Sequence, residues 1–276
     1  MFNPAFGTYR LLPSGTPNQS ERFLRRSGAG ARCSGLGHDS CVITFPTIEL
    51  DAVPAVTAEQ MREVDRLMIE DLQIDLPRMM ENAGASLATL AIHAFGPRSV
   101  CVLAGPGGNG GGGLTAARHL ANRGVEVTVV PSDDEARFAP VPRQQLDILR
   151  RMDFDLVGEP SPADLVIDAL IGYSLHGPPR GRAAELILWA NTTGDPVLSL
   201  DVPSGLDATT GEATEPCVHA TGTMTLAMPK TGVRSAPDYV GRLYLADISV
   251  PPLVFARIGI TVPPVFARSP IVELTR

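Results

Sequence analysis

Ser99-Val-Cys-Val-Leu-Ala104 runs straight into Gly105-Pro-Gly-Gly-Asn-Gly-Gly-Gly-Gly113, after which residues 114–123 carry helical spacing. The first six residues are apolar or small and do not alternate with polar ones. A strand with one wet face alternates, so this one is covered on both faces. The same kind of run returns at 125–130, 165–171, 196–202, 223–228 and 243–248. Between the runs, 143–152 and 183–190 are long enough to serve as the crossover helices that parallel strands require. Upstream, Thr57 and Gln60 make a capping box for a helix with Met61, Val64, Leu67, Met68 and Leu72 on one face. A second helix over 79–94 stops at Gly96-Pro97. The expected architecture is α/β, a three-layer α/β/α sandwich around a Rossmann-like, mostly parallel sheet.

Residues 1–50 are rich in Gly, Ser, Pro and Arg without apolar periodicity, which predicts a disordered tail ahead of a single domain over 51–276. Order is expected from about Ala55. The segment after Pro251 holds two Pro-Pro pairs and reads as an irregular surface strap. Of the 276 residues, 44% are hydrophobic and 19% charged, enough for a sizeable core. A formal charge of -7 speaks against a nucleic-acid partner, whose phosphates need a basic face. No apolar run reaches the roughly 20 residues of a membrane span, and the N-terminus lacks a secretory stretch. A cytoplasmic protein is the expectation. Cys33, Cys41, Cys101 and Cys217 are scattered and read as ordinary thiols.

In an open parallel sheet, ligands bind beyond the carboxyl ends of the strands, so the residues that follow each strand carry the functional information. The glycine run follows the first. Its backbone amides can approach an anion at a helix N-terminus, or the glycines can simply make a tight turn. Gly105-x-Gly107-x-x-Gly110 fits the dinucleotide fingerprint, while the Lys and Ser/Thr of a P-loop are missing. Asp168 lies in the apolar run at 165–171, where it needs a cation, hydrogen-bond donors or a raised pKa. It serves either the chemistry or the bonding of loop amides. Asp201 opens Asp201-Val-Pro-Ser204-Gly-Leu-Asp207, a preorganised site loop or an Asx-turn, with Asp207 supporting the turn. Lys230, after Pro229, is the only lysine; the other basic residues are arginine. Either it survived by chance or its position rejects a planar guanidinium.

Taken in order, these residues resemble the YjeF N-terminal domain, the NAD(P)H-hydrate epimerase family. The resemblance spans about Thr57 to Pro251. It rests on Met61-Arg-Glu-Val-Asp65, Met80-Glu-Asn-Ala-Gly84, the glycine run, Asp168-Ala-Leu-Ile-Gly172, Asp201-Val-Pro-Ser-Gly205 and Met228-Pro-Lys230. It implies an isomerase that interconverts the R and S epimers of NADH and NADPH hydrated at C6 of the nicotinamide (NADHX, NADPHX). A dehydratase on a separate chain would then restore the cofactor, and a homodimer is expected. The resemblance implies a potassium ion held partly by Asn109, Asp168 and Ser204. For the chemistry, a desolvated acid suits proton transfer, so Asp201 is expected to be catalytic at the C6 hydroxyl, with Lys230 supporting its charge or orientation. Substrate contacts are implied for Gly108, Asn109, Gly110, Gly111, Gly112, Gly172, Tyr173, Ser174, Leu175, His176, Gly177, Pro178 and Asp201. The glycine run departs from the family, which usually reads Gly-Asn-Asn-Gly-Gly-Asp-Gly: Gly108 replaces the first Asn and Gly112 the Asp. A weakened or purely ligand-binding relative is therefore a second reading. A nicotinamide-dependent oxidoreductase is a third, but Asp133 and Asp134 lie too far along to meet a ribose.

Overall fold

The computed structural model describes residues 44–154 and 156–276; most of the expected N-terminal tail, with Cys33 and Cys41, lies outside the described residues. Eight strands form one sheet. They are β1 (Thr47–Glu49), β2 (Ser99–Ala104), β3 (Glu126–Pro131), β4 (Leu165–Ala169), β5 (Val197–Leu200), β6 (Gly222–Leu226), β7 (Arg242–Ala246) and β8 (Ile271–Thr275). The spatial order is β1-β8-β7-β6-β5-β4-β2-β3, and every pairing is parallel except β7 with β8. The chain steps outward from β2 to β3, then crosses back to lay β4 on the other side of β2. The crevice between the ends of β2 and β4 is thus the point where strand order reverses, the usual place for a ligand in such a sheet.

Long helices are α1 (Ala58–Arg66), α2 (Leu76–Phe95), α3 (Gly108–Ala121), α4 (Pro140–Arg151) and α5 (Gly181–Thr192). Three short ones follow: α6 (Thr231–Ser235), α7 (Pro237–Val240) and α8 (Pro252–Arg257). Val100, Val102 and Ala104 of β2 pack into one core with α2 and α3, while Cys101 and Leu103 face a second core with α5. A third core gathers α1, Val202, Leu243 and Leu245. Helices on both faces explain why the central strands read as unbroken apolar runs.

Three expectations about boundaries change. Residues 47–49, assigned to the tail, form β1 and pair with Glu273–Thr275 of β8. The C-terminal segment is not an irregular strap: it forms α8 and then β8, which returns antiparallel to β7. The glycine run is largely helix. α3 starts at Gly108, and Gly110 to Gly113 are buried within it. A Cβ on Gly110 would lie 1.7 Å from the Gly105 carbonyl oxygen, and one on Gly113 would lie 2.4 Å from Ala169 Cβ. Missing side chains let α3 drop onto the sheet, and that burial outweighs glycine's helix penalty of about 1 kcal/mol.

Candidate active site

Strand ends deliver the site. Asp201 follows β5 directly and has a φ of 68°, in the left-handed region that suits few non-glycine residues. Its amide donates to Met224 O at 2.7 Å, while Val202 N donates to Leu200 O at 2.9 Å across it. This three-residue turn ends β5 and re-aims the Asp201 side chain, the kind of local strain that collects at functional positions. Lys230 follows β6 after a second turn of this type, with Ala227 at φ 62° and Met228 N donating to Leu226 O at 2.6 Å. Val56 bridges Lys230 from the N-terminal side, through Val56 N to Pro229 O and Thr231 N to Val56 O, both 2.9 Å.

The two side chains meet. Lys230 Nζ donates to Asp201 Oδ1, and also to Leu226 O at 2.9 Å. Side-chain exposure is 1% for Lys230 and 5% for Asp201, so the ion pair is withdrawn from bulk water. Leu226 N donates to Asp201 Oδ1 and Tyr173 N to Asp201 Oδ2, both at 3.3 Å. The pair sits in the wall of a cavity of about 290 Å³ whose apolar lining includes Met61, Met79, Met80, Leu200, Leu226 and Ile248. An apolar slot with a few convergent polar groups is a favourable form for a small-molecule site.

Asp168 is fully buried inside β4 and accepts four hydrogen bonds: Ser199 Oγ at 2.8 Å, Ser204 N at 2.9 Å, Ser204 Oγ at 2.6 Å and Leu170 N at 3.3 Å. Burial pushes its pKa up, and these donors counter that in part. Of its two sequence readings, the bonding of loop groups is the one these contacts describe: Asp168 ties the 201–207 loop to the end of β4. Ile171 N donates to Ser204 Oγ at 2.9 Å, joining the loop after β4 to the same cluster. Asp207 supports the loop further on, accepting from Thr209 N at 2.8 Å and Thr210 N at 2.7 Å.

The substrate-contact stretches divide. Gly108, Asn109, Gly112, Gly172, Tyr173 and Ser174 line the same cavity as Asp201 and Lys230. Gly110 and Gly111 do not; Gly110 abuts Gly105, and a Cβ on Gly111 would lie 2.5 Å from Met80 Cε. Leu175, His176, Gly177 and Pro178 line a neighbouring groove of about 700 Å³, shared with Ser174 and Arg137. At Gly172 the chain passes so close that a Cβ there would lie 3.2 Å from Asn109 Oδ1 and 3.3 Å from Asp201 Oδ2. Asn109 and Asp201 therefore converge on one point. Asn109 Nδ2 is buried without a hydrogen-bond partner among the described residues. β3 ends at Pro131, and Asp133 lies beyond it, 3.6 Å from Arg137 beside the neighbouring groove.

One residue the sequence reading quoted within a motif, but gave no role, also enters the cavity. Asp65, near the end of α1, accepts a hydrogen bond from Tyr173 Oη at 2.5 Å. On the sequence it looks like the polar face of an amphipathic helix, and only the Tyr173 loop, far along the chain, reveals otherwise.

Fold and site define a doubly wound α/β domain with a buried acid–lysine pair at its strand ends. The chain belongs to the family described as YjeF-related protein N-terminus, whose model matches residues 77–232. It is 45% identical over 226 residues to the NAD(P)H-hydrate epimerase of Dehalogenimonas lykanthroporepellens, covering 79% of this chain and 91% of that one. It is 38% identical to the protein of the same name from Truepera radiovictrix, covering 78% and 98%. A bifunctional NAD(P)H-hydrate repair enzyme Nnr from Hyperthermus butylicus is 42% identical over 194 residues; these span 66% of this chain and 36% of that protein. The crystal structure of yeast ynu0 superimposes with a TM-score of 0.72 at 24% identity, over 80% of this chain and all of that one, which supports the shared fold.

Proposed function

We propose that this chain is an NAD(P)H-hydrate epimerase acting on the R and S forms of NADHX and NADPHX, with a dehydratase completing the repair. The observation that carries this reading is the buried Asp201–Lys230 pair, from the ends of β5 and β6, in the wall of an apolar cavity that also takes in the loops at the β2/β4 switch point. A largely apolar, puckered tetrahydropyridine ring suits a slot lined by Met79, Met80 and Leu226. Its C6 hydroxyl, next to Asp201, is within the reach of general acid–base chemistry. Gly107 and Gly108 are exposed at the start of α3 with open space above them. Free amides and the positive end of the helix suit the substrate's pyrophosphate there.

The family resemblance implies potassium held by Asn109, Asp168 and Ser204, and the chemistry of these residues suits it. All three offer oxygen donors, which hard cations take. Asp168 is a fully buried carboxyl whose partners are neutral hydroxyls and amides, so its negative charge has no cation among the described residues. Bound there, potassium would offset buried negative charge and fasten the loops after β2, β4 and β5. The melting temperature is expected to be higher in potassium than in sodium at equal ionic strength; equal values would remove the ion from the proposal.

The deciding experiment supplies R-NADHX with an S-specific dehydratase and follows recovery of NADH with and without the protein. Acceleration beyond the spontaneous rate is the expected result. No acceleration by folded protein would leave the ligand-binding reading standing.

Gly112 bears on that choice. A Cβ at this position would lie 2.7 Å from Leu200 Cδ2, so Leu200 occupies the space a side chain would need. Gly112→Asp is therefore not a restoration. It should cost about 1–3 kcal/mol through overpacking and leave the rate no higher. Adding Leu200→Ala should recover part of that loss, because the two positions share one space. A stable, faster Gly112→Asp protein would contradict this account.

A further inference from the structure

Asp65 has a hydrogen bond, a burial and a position that the reading so far does not use. It stands one residue before the end of α1, ahead of a π-helical turn at Leu67–Asp71. Its carboxylate caps no helix and makes no ion pair at contact distance among the described residues; its one hydrogen-bond donor there is Tyr173 Oη. Tyr173 is fixed at both ends, its amide on Asp201 Oδ2 and its hydroxyl on Asp65, and its ring centroid lies 5.9 Å from Lys230 Nζ. Both residues line the cavity. A carboxylate held in a largely apolar wall by a single hydroxyl costs stability without an evident structural return. Such an arrangement is a mark of function.

We propose that Asp65 is a positioning residue of the epimerase: it orients the Tyr173 hydroxyl as a second proton-transfer group, separate from the Asp201–Lys230 pair. This rests on the function proposed above. Inversion at C6 requires proton handling on both faces of that carbon. On one face the C6–O bond breaks with its electron pair on oxygen, which takes a proton from the Asp201–Lys230 pair and leaves as water. The N1 lone pair forms C6=N1 as it does so. On the other face a water adds, a new C6–O bond forms, and the pair in C6=N1 returns to N1. The added water passes its proton to Tyr173 Oη while the Tyr173 proton moves to Asp65. Asp65 then releases its proton to solvent and solvent returns one to the Asp201–Lys230 pair, so both groups are reset and nothing is oxidised or reduced. The two groups reach the cavity from different elements, one from the ends of β5 and β6, the other from α1 and the loop after β4.

The charged and titratable groups around this pair are Asp201, Lys230 and Arg62. Burial raises the Asp65 pKa from its ordinary value, the Tyr173 bond and Lys230 oppose that, and Asp201 adds to it. Burial, followed by the charge of Asp65, pushes the Tyr173 hydroxyl upward too, so it keeps its proton for the relay. Only ionised Asp65 accepts that proton, so the rate should fall on the acid side as Asp65 protonates.

The test measures kcat, KM and the pH profile for wild type, Asp65→Asn, Tyr173→Phe and the double variant, with melting temperatures. Each single variant should lose about 10²-fold in kcat with KM little changed. The acid limb should flatten in Asp65→Asn, and the double variant should be no slower than the worse single, because the two residues act as a unit. Asp65→Glu should recover part of the loss. Unchanged kcat in Asp65→Asn, losses that multiply in the double variant, or a uniform fall across pH that follows melting temperature would overturn it. Wild type without activity would sink the epimerase reading, and this proposal with it. Active wild type with an equally fast Asp65→Asn would sink this proposal alone.

Discussion

Asp201→Asn should slow epimerisation by about 10²–10⁴-fold, the range for loss of a positioned acid or base. The substitution keeps the size of the side chain, so it isolates chemistry from packing. It does not preserve the hydrogen bonds. Oδ1 serves Lys230 Nζ and Leu226 N, and Oδ2 serves Tyr173 N. A carboxamide satisfies one set only, and its NH2 must then face the Tyr173 amide, donor against donor. The Tyr173 loop should therefore loosen as well, raising KM. The coupled NADH-recovery assay reads both effects, and a variant at the wild-type rate would remove Asp201 from the chemistry.

Lys230→Met should cause the largest loss of stability, about 3–5 kcal/mol, because it leaves the Asp201 carboxylate buried without its cation. For a domain of this size that lowers the melting temperature by on the order of 10 °C. Methionine fits the space, so the loss measures charge and not volume. The combination with Asp201→Asn decides the cause. Removing the stranded charge should make the double variant more stable than Lys230→Met alone, although both variants lack the lysine. If the two losses simply add, the destabilisation comes from lost lysine packing. The same geometry gives a physical reason for the lone lysine: its amine reaches Asp201 and Leu226 O through a fully buried stem, where the larger, five-donor guanidinium of arginine would need more room and more acceptors.

The parallel strands were readable because burial on both faces writes apolar runs into the sequence, and the strand-end rule then pointed to Asp168, Asp201 and Lys230. Where the reading fell short, local pattern and tertiary contact disagree. Seven glycines look like a loop because glycine is a poor helix former, yet Gly110 to Gly113 sit in α3 pressed against Gly105, Met80, Leu200 and Ala169. β1 is three residues long and leaves no periodicity to detect, and β8 follows a proline-rich stretch that reads as coil. Asp65 carried no local signal, because its role depends on a tyrosine more than a hundred residues away in sequence. Asp168 was visible as an anomaly, a charge inside a hydrophobic strand, but the sequence left open whether it served the loops or the chemistry.

The pairing of β1 with β8 sets an order of assembly. Thr47 lies opposite Glu273 and Glu49 opposite Thr275, so the earliest strand of the described fold has no neighbour until the latest one is in place. β7 is likewise an open edge until β8 pairs with it antiparallel. As the chain leaves the ribosome, β2 to β6 with α2 to α5 can already pack around their own cores. A row of unpaired backbone groups on β7 then waits in solvent for the last residues to arrive. Such an edge invites pairing with another chain until β8 covers it, whereas β1 waits for a partner more than 200 residues further along. Nascent chains stalled just short of Ile271 should be the most prone to aggregate, even though every residue of the cavity has by then been made.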